Sequence, residues 1–275
     1  MSEPVYYIPD GLALEAALRR TTHLAIGAHP DDVEIMAYHG IASCYAESQL
    51  WFCAAVMTSG GGGPRAGDYA GLSDPQLAEL RREEQRRAAA IGHYGALVQF
   101  DYASADLRAD PEGLAAAELA DLIVRCRPQV VYTHSPFDEH PTHVAVCRAV
   151  LAVLRTLPPE FRPRQVLGCE VWGSLDWLGR RIELDCSLKP DLAAELLNAF
   201  ASQNASGKRY DLAVVARRRA NATFAQAREI DRLEQLNFAV DLSAVAAGAA
   251  TLEELACDCL DEFRLRRLAQ LRAQE

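Results

Sequence analysis

The chain is poor in several things, and each shortage removes a class of function. No apolar run reaches the roughly 20 residues that a membrane-spanning helix needs. Basic charge is scarce: 28 Lys and Arg stand against 38 Asp and Glu, a formal net charge of −10. Nucleic acid and anionic membrane surfaces therefore find no broad electrostatic partner. No GxGxxG follows the first apolar run, so a dinucleotide reading lacks its phosphate cradle. No Gly-Lys-Ser/Thr follows the glycine run at 60–63, which excludes a P-loop. Eight cysteines are present but no CxxC pair. Most lie inside apolar periodic segments and read as reduced core thiols, not a disulfide frame or zinc knuckle. Met1-Ser2-Glu3-Pro4 lacks the basic and apolar regions of a secretory signal, so a cytoplasmic location is expected. Repeats and low-complexity linkers are missing too. The 275 residues, 50% of them apolar, suit a single domain over 1–275 with a sizeable core. The rhythm changes after about residue 160, where a C-terminal extension is expected.

The most informative stretch is Ala25-Ile26-Gly27-Ala28-His29-Pro30-Asp31-Asp32-Val33-Glu34. His23 to Gly27 reads as a buried strand. From Val33 the pattern turns helical, with Met36, Ala37, Ile41 and Tyr45 near i, i+3, i+4 spacing. This predicts a helix from Asp32 to Ser48. Pro30 suits a first helical turn, and Asp31 and Asp32 lie where the helix dipole favours negative charge. One reading is thus a good helix start and nothing more. The other is chemical: imidazole and carboxylate three residues apart form a half-site for zinc. A second carboxylate, free of the metal, can then act as general base.

A matching half lies further on. The apolar run Val130 to Thr133 reaches His134 and leads into Ser135-Pro136-Phe137-Asp138-Glu139-His140-Pro141-Thr142-His143. His140 and His143 share one helical face. Two polar strand ends of this kind point to one composite site, since ligands bind at that edge of an open α/β sheet. A third strand, Leu50 to Thr58, runs into Gly60–Gly63 and Arg65. Four glycines let backbone approach a ligand closely, though a plain flexible loop fits the composition equally. Arg65 is either a substrate contact or a solvated loop residue.

The remaining pattern alternates strands and helices. Helices are expected over Gly11–Arg20, Pro75–His93, Pro111–Cys126, His140–Leu157, Ser187–Phe200 and Leu252–Gln274. Strands are expected at Leu97–Phe100, Gln129–Thr133, Gln165–Trp172 and Arg181–Asp185. Arg81-Arg82-Glu83-Glu84 reads as a solvated helix face, Asp101 as a turn cap, and Arg217-Arg218-Arg219 as a solvated face or a substrate rim. Leu236–Leu242 is expected to be a surface or closing element. The terminal helix can pack on the core or on another subunit. The fold class is α/β, a Rossmann-like, mainly parallel sheet flanked by helices.

AHPDDVE at 28–34 and His140-Pro141-Thr142-His143-Val144-Ala145 resemble the two motifs of the LmbE-like, or PIG-L, zinc-dependent N-deacetylases. The likeness covers about residues 22–150. Arg81-x-x-Glu84 and Ser202-Gln203 are similar to further family segments. The resemblance implies the LmbE-like fold, a Zn²⁺ cofactor (or another divalent metal) on His29, Asp32 and His143, and Asp31 as general base. Protonated His140 would steady the oxyanion or protonate the leaving amine. The family glycine loop helps to hold substrate, which makes Arg65 the candidate. Thr142 stands where the family has aspartate, and the missing carboxylate would have supported a neighbouring histidine. The implied activity is removal of an acetyl group from an N-acetylated amino sugar or small amino-sugar conjugate. A metal-dependent amidase on a non-sugar or larger amide, and a catalytically silent Rossmann-like ligand-binding protein, are the other readings. The expected partner is a small molecule, with neither nucleic acid nor membrane; a homo-oligomer is compatible.

Overall fold

The computed structural model describes residues 3–273, apart from 206 and 227. Met1, Ser2 and Gln274, invoked above, lie outside the described residues. Eight strands form one sheet: β1 (Val5–Tyr7), β2 (His23–Gly27), β3 (Phe52–Val56), β4 (Ala96–Gln99), β5 (Val130–His134), β6 (Gln165–Cys169), β7 (Ile182–Asp185) and β8 (Leu236–Asp241). Between them run α1 (Leu14–Arg19), α2 (Asp32–Met36), α3 (Tyr38–Cys44), α4 (Asp74–Ile91), α5 (Ser104–Ala109), α6 (Ala116–Cys126) and α7 (Pro141–Thr156). Then come α8 (Pro190–Asn198), α9 (Ala201–Asn204), α10 (Tyr210–Phe224), α11 (Ser243–Ala246) and α12 (Leu252–Arg272).

The strand order is β1-β4-β3-β2-β5-β6-β8-β7. The five strands from β4 to β6 are parallel. At one edge β1 pairs antiparallel with β4; at the other β8 runs antiparallel to β6, and β7, antiparallel to β8, returns to the direction of the central strands. The expected Rossmann-like, mainly parallel sheet is thus present. The central strands are apolar on both faces because helices cover both. Leu24, Ile26 and Val131 pack against Leu119 of α6 and Val150 of α7. Ala25, Ala54 and Tyr132 face Met36, Ile41 and Leu196 on the other side. Each fully buried aliphatic side chain contributes about 1.5–3 kcal/mol.

This topology locates the site. The chain runs outward from β2 through β3 to β4, then returns to place β5 on the free side of β2. Loops leaving β2 and β5 therefore diverge, and a crevice opens between them. The residues at 28–31 and at 135–140 border it.

Among the elements that differ from expectation, three do so for a visible reason. The long first helix breaks at Ala37 (φ −114, ψ 19) into α2 and α3. The carbonyls so released are recaptured by side chains. Arg218 Nη2 donates to Glu34 O and Ile35 O, each at 2.9 Å, and Asn237 Nδ2 donates to Met36 O at 3.2 Å. Arg218 is accordingly 1% exposed, not part of a solvated face. Leu236–Leu242 is no surface element: β8 is buried and pairs with both β6 and β7. Its alternation matches a strand with both neighbours in place. β1, three residues long, carries too little pattern to read and pairs at the sheet edge. Among the described residues no helix is long and apolar enough to cross a membrane.

At the opposite ends of the strands, His23 Nδ1 lies 2.9 Å from Thr22 Oγ1 and 3.3 Å from Cys44 Sγ. Burial, and then nearby His39, push its pKa down to about 4. In the unfolded chain the imidazole takes its proton near 6.5. The folded state thus binds fewer protons between these values. The contribution to stability is complete above pH 6.5 and is lost as pH falls from there towards 4. Urea midpoints measured at pH 7 and pH 5 should drop less for His23→Gln than for the parent. Equal drops would remove His23 as a source of the acid sensitivity.

Candidate metal centre

The first half of the site is set by a tight corner after β2. Asp31 adopts φ 89, ψ −28, a left-handed conformation, as it caps α2. Non-glycine residues rarely adopt it, aspartate more readily than most, and such strain gathers at functional positions. The corner turns Asp32 back so that its Oδ2 accepts from His29 N at 2.7 Å. Gln85 of α4 holds the corner from behind: Asp31 N donates to its Oε1 at 3.2 Å. Gln85 Nε2 in turn donates to Glu34 Oε1 at 2.8 Å, as does Tyr94 OH at 2.7 Å. Burial pushes the Glu34 pKa up to about 7.

The second half comes from the start of α7. His143 is fully buried and points its Nε2 at the first half. His29 Nδ1, Asp32 Oδ2 and His143 Nε2 then form a near-equilateral triangle, with edges of 3.2, 3.2 and 3.3 Å. Tetrahedral zinc with ligand distances of about 2.0–2.1 Å has ligand–ligand edges of about 3.3–3.4 Å. The donor set and its spacing therefore fit a divalent metal. Asp32, His134 and His143 also converge, but His134 Nε2 accepts from Ala28 N at 2.9 Å. That lone pair is already committed. His134 acts instead as packing: its ring stacks on His143 at 3.9 Å between centroids.

Asp138 braces the start of α7 and lies behind His143. Its Oδ1 accepts from His140 N at 2.8 Å and lies 3.3 Å from His143 Nδ1. Its Oδ2 accepts from Trp172 N at 3.0 Å. A carboxylate behind a ligating imidazole fixes its orientation and basicity. The support expected at position 142 is thus supplied from 138. Thr142 is buried and accepts from Arg108 Nη1 at 3.0 Å instead.

The charges are strongly coupled. Burial, and then the neighbouring Asp32 charge, raise the Asp31 pKa well above the usual carboxylate range. Burial also pushes Asp32 up, but His143 and His134 outweigh it and hold that carboxyl well below its usual range. Burial lowers His143, yet Asp32 and Asp138 together carry it up to about 10. Burial, His143 and His29 depress His140 to about 4. In these surroundings His140 is neutral, not the imidazolium expected from the sequence.

The cluster floors a cleft of about 540 Å³ whose walls include Gly60, Gly63, Arg81, Arg108, Trp172 and Tyr210. The glycine loop wraps Arg81: Nη1 donates to Gly60 O at 2.5 Å, and a Cβ on Gly63 would overlap the guanidinium. Gly60 itself has φ +68. Arg81 Nη2 also donates to Gln203 Oε1 at 2.6 Å, and Glu84 accepts from Ser202 N at 2.7 Å and Ser202 Oγ at 2.6 Å. Arg81 and Glu84 are therefore buried, not solvated, and join the R-x-x-E segment to Ser202-Gln203. Arg65 turns away: Nη2 donates to Gly61 O at 2.6 Å and pairs with Asp74. It is not among the residues that line the cleft. Asp101 pairs with Arg82 at 2.7 Å outside the cleft. His29, Asp31, Asp32, His140 and His143 come together as expected from the sequence. Arg81, His134 and Asp138 complete the surroundings.

A paired-histidine motif at the switch point of a parallel sheet, with two carboxylates beside it, marks the site. The chain belongs to the PIG-L, or LmbE-like, family and is an N-deacetylase. Residues 24–154 match the family model described as GlcNAc-PI de-N-acetylase. The uncharacterized deacetylase YaiS of Escherichia coli K12 is 31% identical over 166 residues, spanning 58% of this chain and 80% of that protein. Among solved structures, N,N′-diacetylchitobiose deacetylase from Pyrococcus horikoshii, complexed with an inhibitor, is 16% identical with a TM-score of 0.64. The match covers 86% of this chain and 88% of that one. The conserved protein TT1542 of Thermus thermophilus is 22% identical with a TM-score of 0.62, over 80% and 94% of the two chains. GalB, the 4-carboxy-2-hydroxymuconate hydratase of Pseudomonas putida, is 19% identical with a TM-score of 0.61, over 81% and 96%. At these identities the solved structures share the fold.

Proposed function

We propose that this chain is a zinc-dependent hydrolase that frees acetate from an N-acetylated amino sugar or small amino-sugar conjugate. The observation that carries this reading is the triangle of His29 Nδ1, Asp32 Oδ2 and His143 Nε2, with edges near 3.2 Å. Zinc held there supplies a Lewis acid that polarises the amide carbonyl and makes water acidic. Asp31 accepts the proton of the attacking water and delivers it to the departing nitrogen. Its raised affinity for a proton suits this, because a divalent cation on the triad offsets the push from burial and from Asp32. His140, a neutral imidazole at the cleft wall, donates a hydrogen bond to the oxygen on which negative charge develops. Arg81 takes the substrate-contact role expected of Arg65, because it faces the cleft. Trp172, 43% exposed and 6.4 Å from the His140 ring, offers an aromatic face to a sugar ring. We assign the chain to one domain, residues 1–275, since β8 and β7 extend the same sheet. A cytoplasmic location agrees with eight free thiols, six of them buried.

Acetate release from a panel of N-acetylated amino sugars tests the reading. Release should stop on chelation and return with zinc. Release only of larger acids from bulkier amides would favour the amidase reading. Chelator-insensitive turnover, or water addition without acetate as in a hydratase, would overturn the assignment.

A further inference from the structure

The cleft is more basic than the chain that contains it. Against a net charge of −10, it is lined by four arginines (Arg81, Arg108, Arg217 and Arg218) and three carboxylates (Asp31, Asp32 and Glu170). Two of those carboxylates flank the proposed metal. The third, Glu170, is buried and already occupied: Phe238 N donates to Oε1 at 3.0 Å, Leu175 N donates to Oε2 at 2.9 Å, and Asn221 Nδ2 also donates to Oε1.

None of the four arginines has an ion-pair partner among the described residues, whereas Arg65 and Arg86, on the neighbouring loop and helix, each have one and Arg82 has two. A guanidinium carries five N–H donors. Arg108 gives one of them to Thr142 Oγ1 at 3.0 Å. Arg217 donates to Val171 O and, at 3.3 Å, to Trp172 O. Hydroxyl and carbonyl acceptors fix these heads in place; the carboxylate whose field reaches Arg217 is that of Glu170, which already accepts three N–H bonds. Arg218, on the same helix and lining the same cleft, is 1% exposed, with Nε and Nη1 unpartnered among the described residues. Its buried charge adds to the positive field, which acts strongly where water is excluded. Lys208 lies 5.0 Å over the Trp172 ring at the same wall.

The placement relative to the reaction is favourable. Thr142 immediately precedes His143, so the Arg108 head lies beside the metal ligands. Trp172, whose carbonyl holds Arg217, has its ring 6.4 Å from that of His140. Arg108 on α5 and Arg217 on α10 thus face one cleft from different walls.

The geometry points to a substrate that carries an anionic group, a phosphate or a carboxylate, in addition to the N-acetyl group, with Arg108 and Arg217 as its recognition residues. This rests on the deacetylase reading above and names the chemistry that the cleft selects. Charge-assisted hydrogen bonds to such an oxyanion are about twice as strong as neutral ones. They would set preference through KM, since the anionic group does not react.

The test compares N-acetylglucosamine, its 6-phosphate and N-acetylmuramic acid, using the zinc-loaded protein and the variants Arg108→Gln, Arg217→Gln and their combination. At least one anionic sugar should exceed the neutral sugar in kcat/KM by about tenfold or more, and each single variant should lower that ratio by about tenfold. The advantage should shrink with added salt. A gain confined to the 6-phosphate assigns phosphate; one confined to the muramic acid assigns carboxylate. Equal kcat/KM for all three sugars, or a ratio that survives the double substitution, overturns the proposal. If none of the three releases acetate, the sugar-deacetylase reading fails by itself, and calorimetry with the same ligands decides the anion site. Tighter binding of an anionic sugar, weakened in the variants, upholds it; equal binding of all three overturns it.

Discussion

Alanine at position 143 should empty the metal centre. His143 Nε2 supplies one corner of a triangle whose other corners are His29 Nδ1 and Asp32 Oδ2. His134 cannot take its place without giving up the hydrogen bond from Ala28 N. The substitution also removes the positive partner that does most to hold Asp32 ionised, so the surviving carboxylate becomes a weaker ligand. The loss in affinity should exceed the roughly 10–100-fold that accompanies loss of a residue that only orients a ligand. Asp138→Asn is the internal comparison, because Asp138 lies 3.3 Å from His143 Nδ1 and touches no metal position. Elemental analysis after gel filtration, with circular dichroism to check folding, reads both variants. Full metal content in folded His143→Ala would take His143 out of the ligand set and dissolve the composite site.

The legibility of this site follows from how its parts are encoded. Both histidine motifs sit where an apolar run ends in polar residues and a helix begins, and such local contrast is visible in a sequence. The parallel sheet was legible for the same reason: β2, β3 and β5 are short apolar runs separated by helical periods. What is not legible locally depends on partners far away in the chain. Arg81 lies in a run of four charged residues that any helix would expose. It is buried because Gly60 and Gln203, 21 and 122 residues away, offer it carbonyl oxygens. Arg218 looked solvated for the same reason, and its partners lie 184 and 183 residues earlier, at the break after α2. Arg218 could not be placed without knowing that the helix breaks at Ala37, nor Arg81 without the fold of the glycine loop against Gln203. Thr142 marks a subtler case. A missing carboxylate at that position looked like a weakened histidine. Asp138, four residues earlier, reaches both histidines from the loop, and the threonine hydroxyl is left to steady Arg108. Arg65 failed in the opposite sense: proximity to a glycine loop made it conspicuous, but Asp74 opens the next helix and captures it.

Asparagine at position 31 should leave the metal in place and remove most of the rate. The side chain keeps its shape, and asparagine, like aspartate, tolerates the left-handed backbone seen there (φ 89). Alanine would confound the result by straining that corner and loosening the backbone bond from Asp31 N to Gln85. What asparagine cannot do is accept and release a proton. General acid–base catalysis contributes typically 10²–10⁴-fold, so kcat should fall by about 10²-fold or more, equivalent to about 2.7 kcal/mol of barrier. Metal content should hold or rise, because the substitution removes the like charge that destabilises the Asp31–Asp32 pair. The pH profile gives an independent readout. The acid limb of kcat/KM in the parent reports deprotonation of its base in the free, metal-loaded protein, and that limb should vanish in the variant. Stopped acetate assays from pH 5 to 9, with metal content measured on the same samples, separate the two effects. Retained metal with undiminished turnover would show that the proton leaves the attacking water by another route, and Asp31 would then be a strained corner without a chemical task.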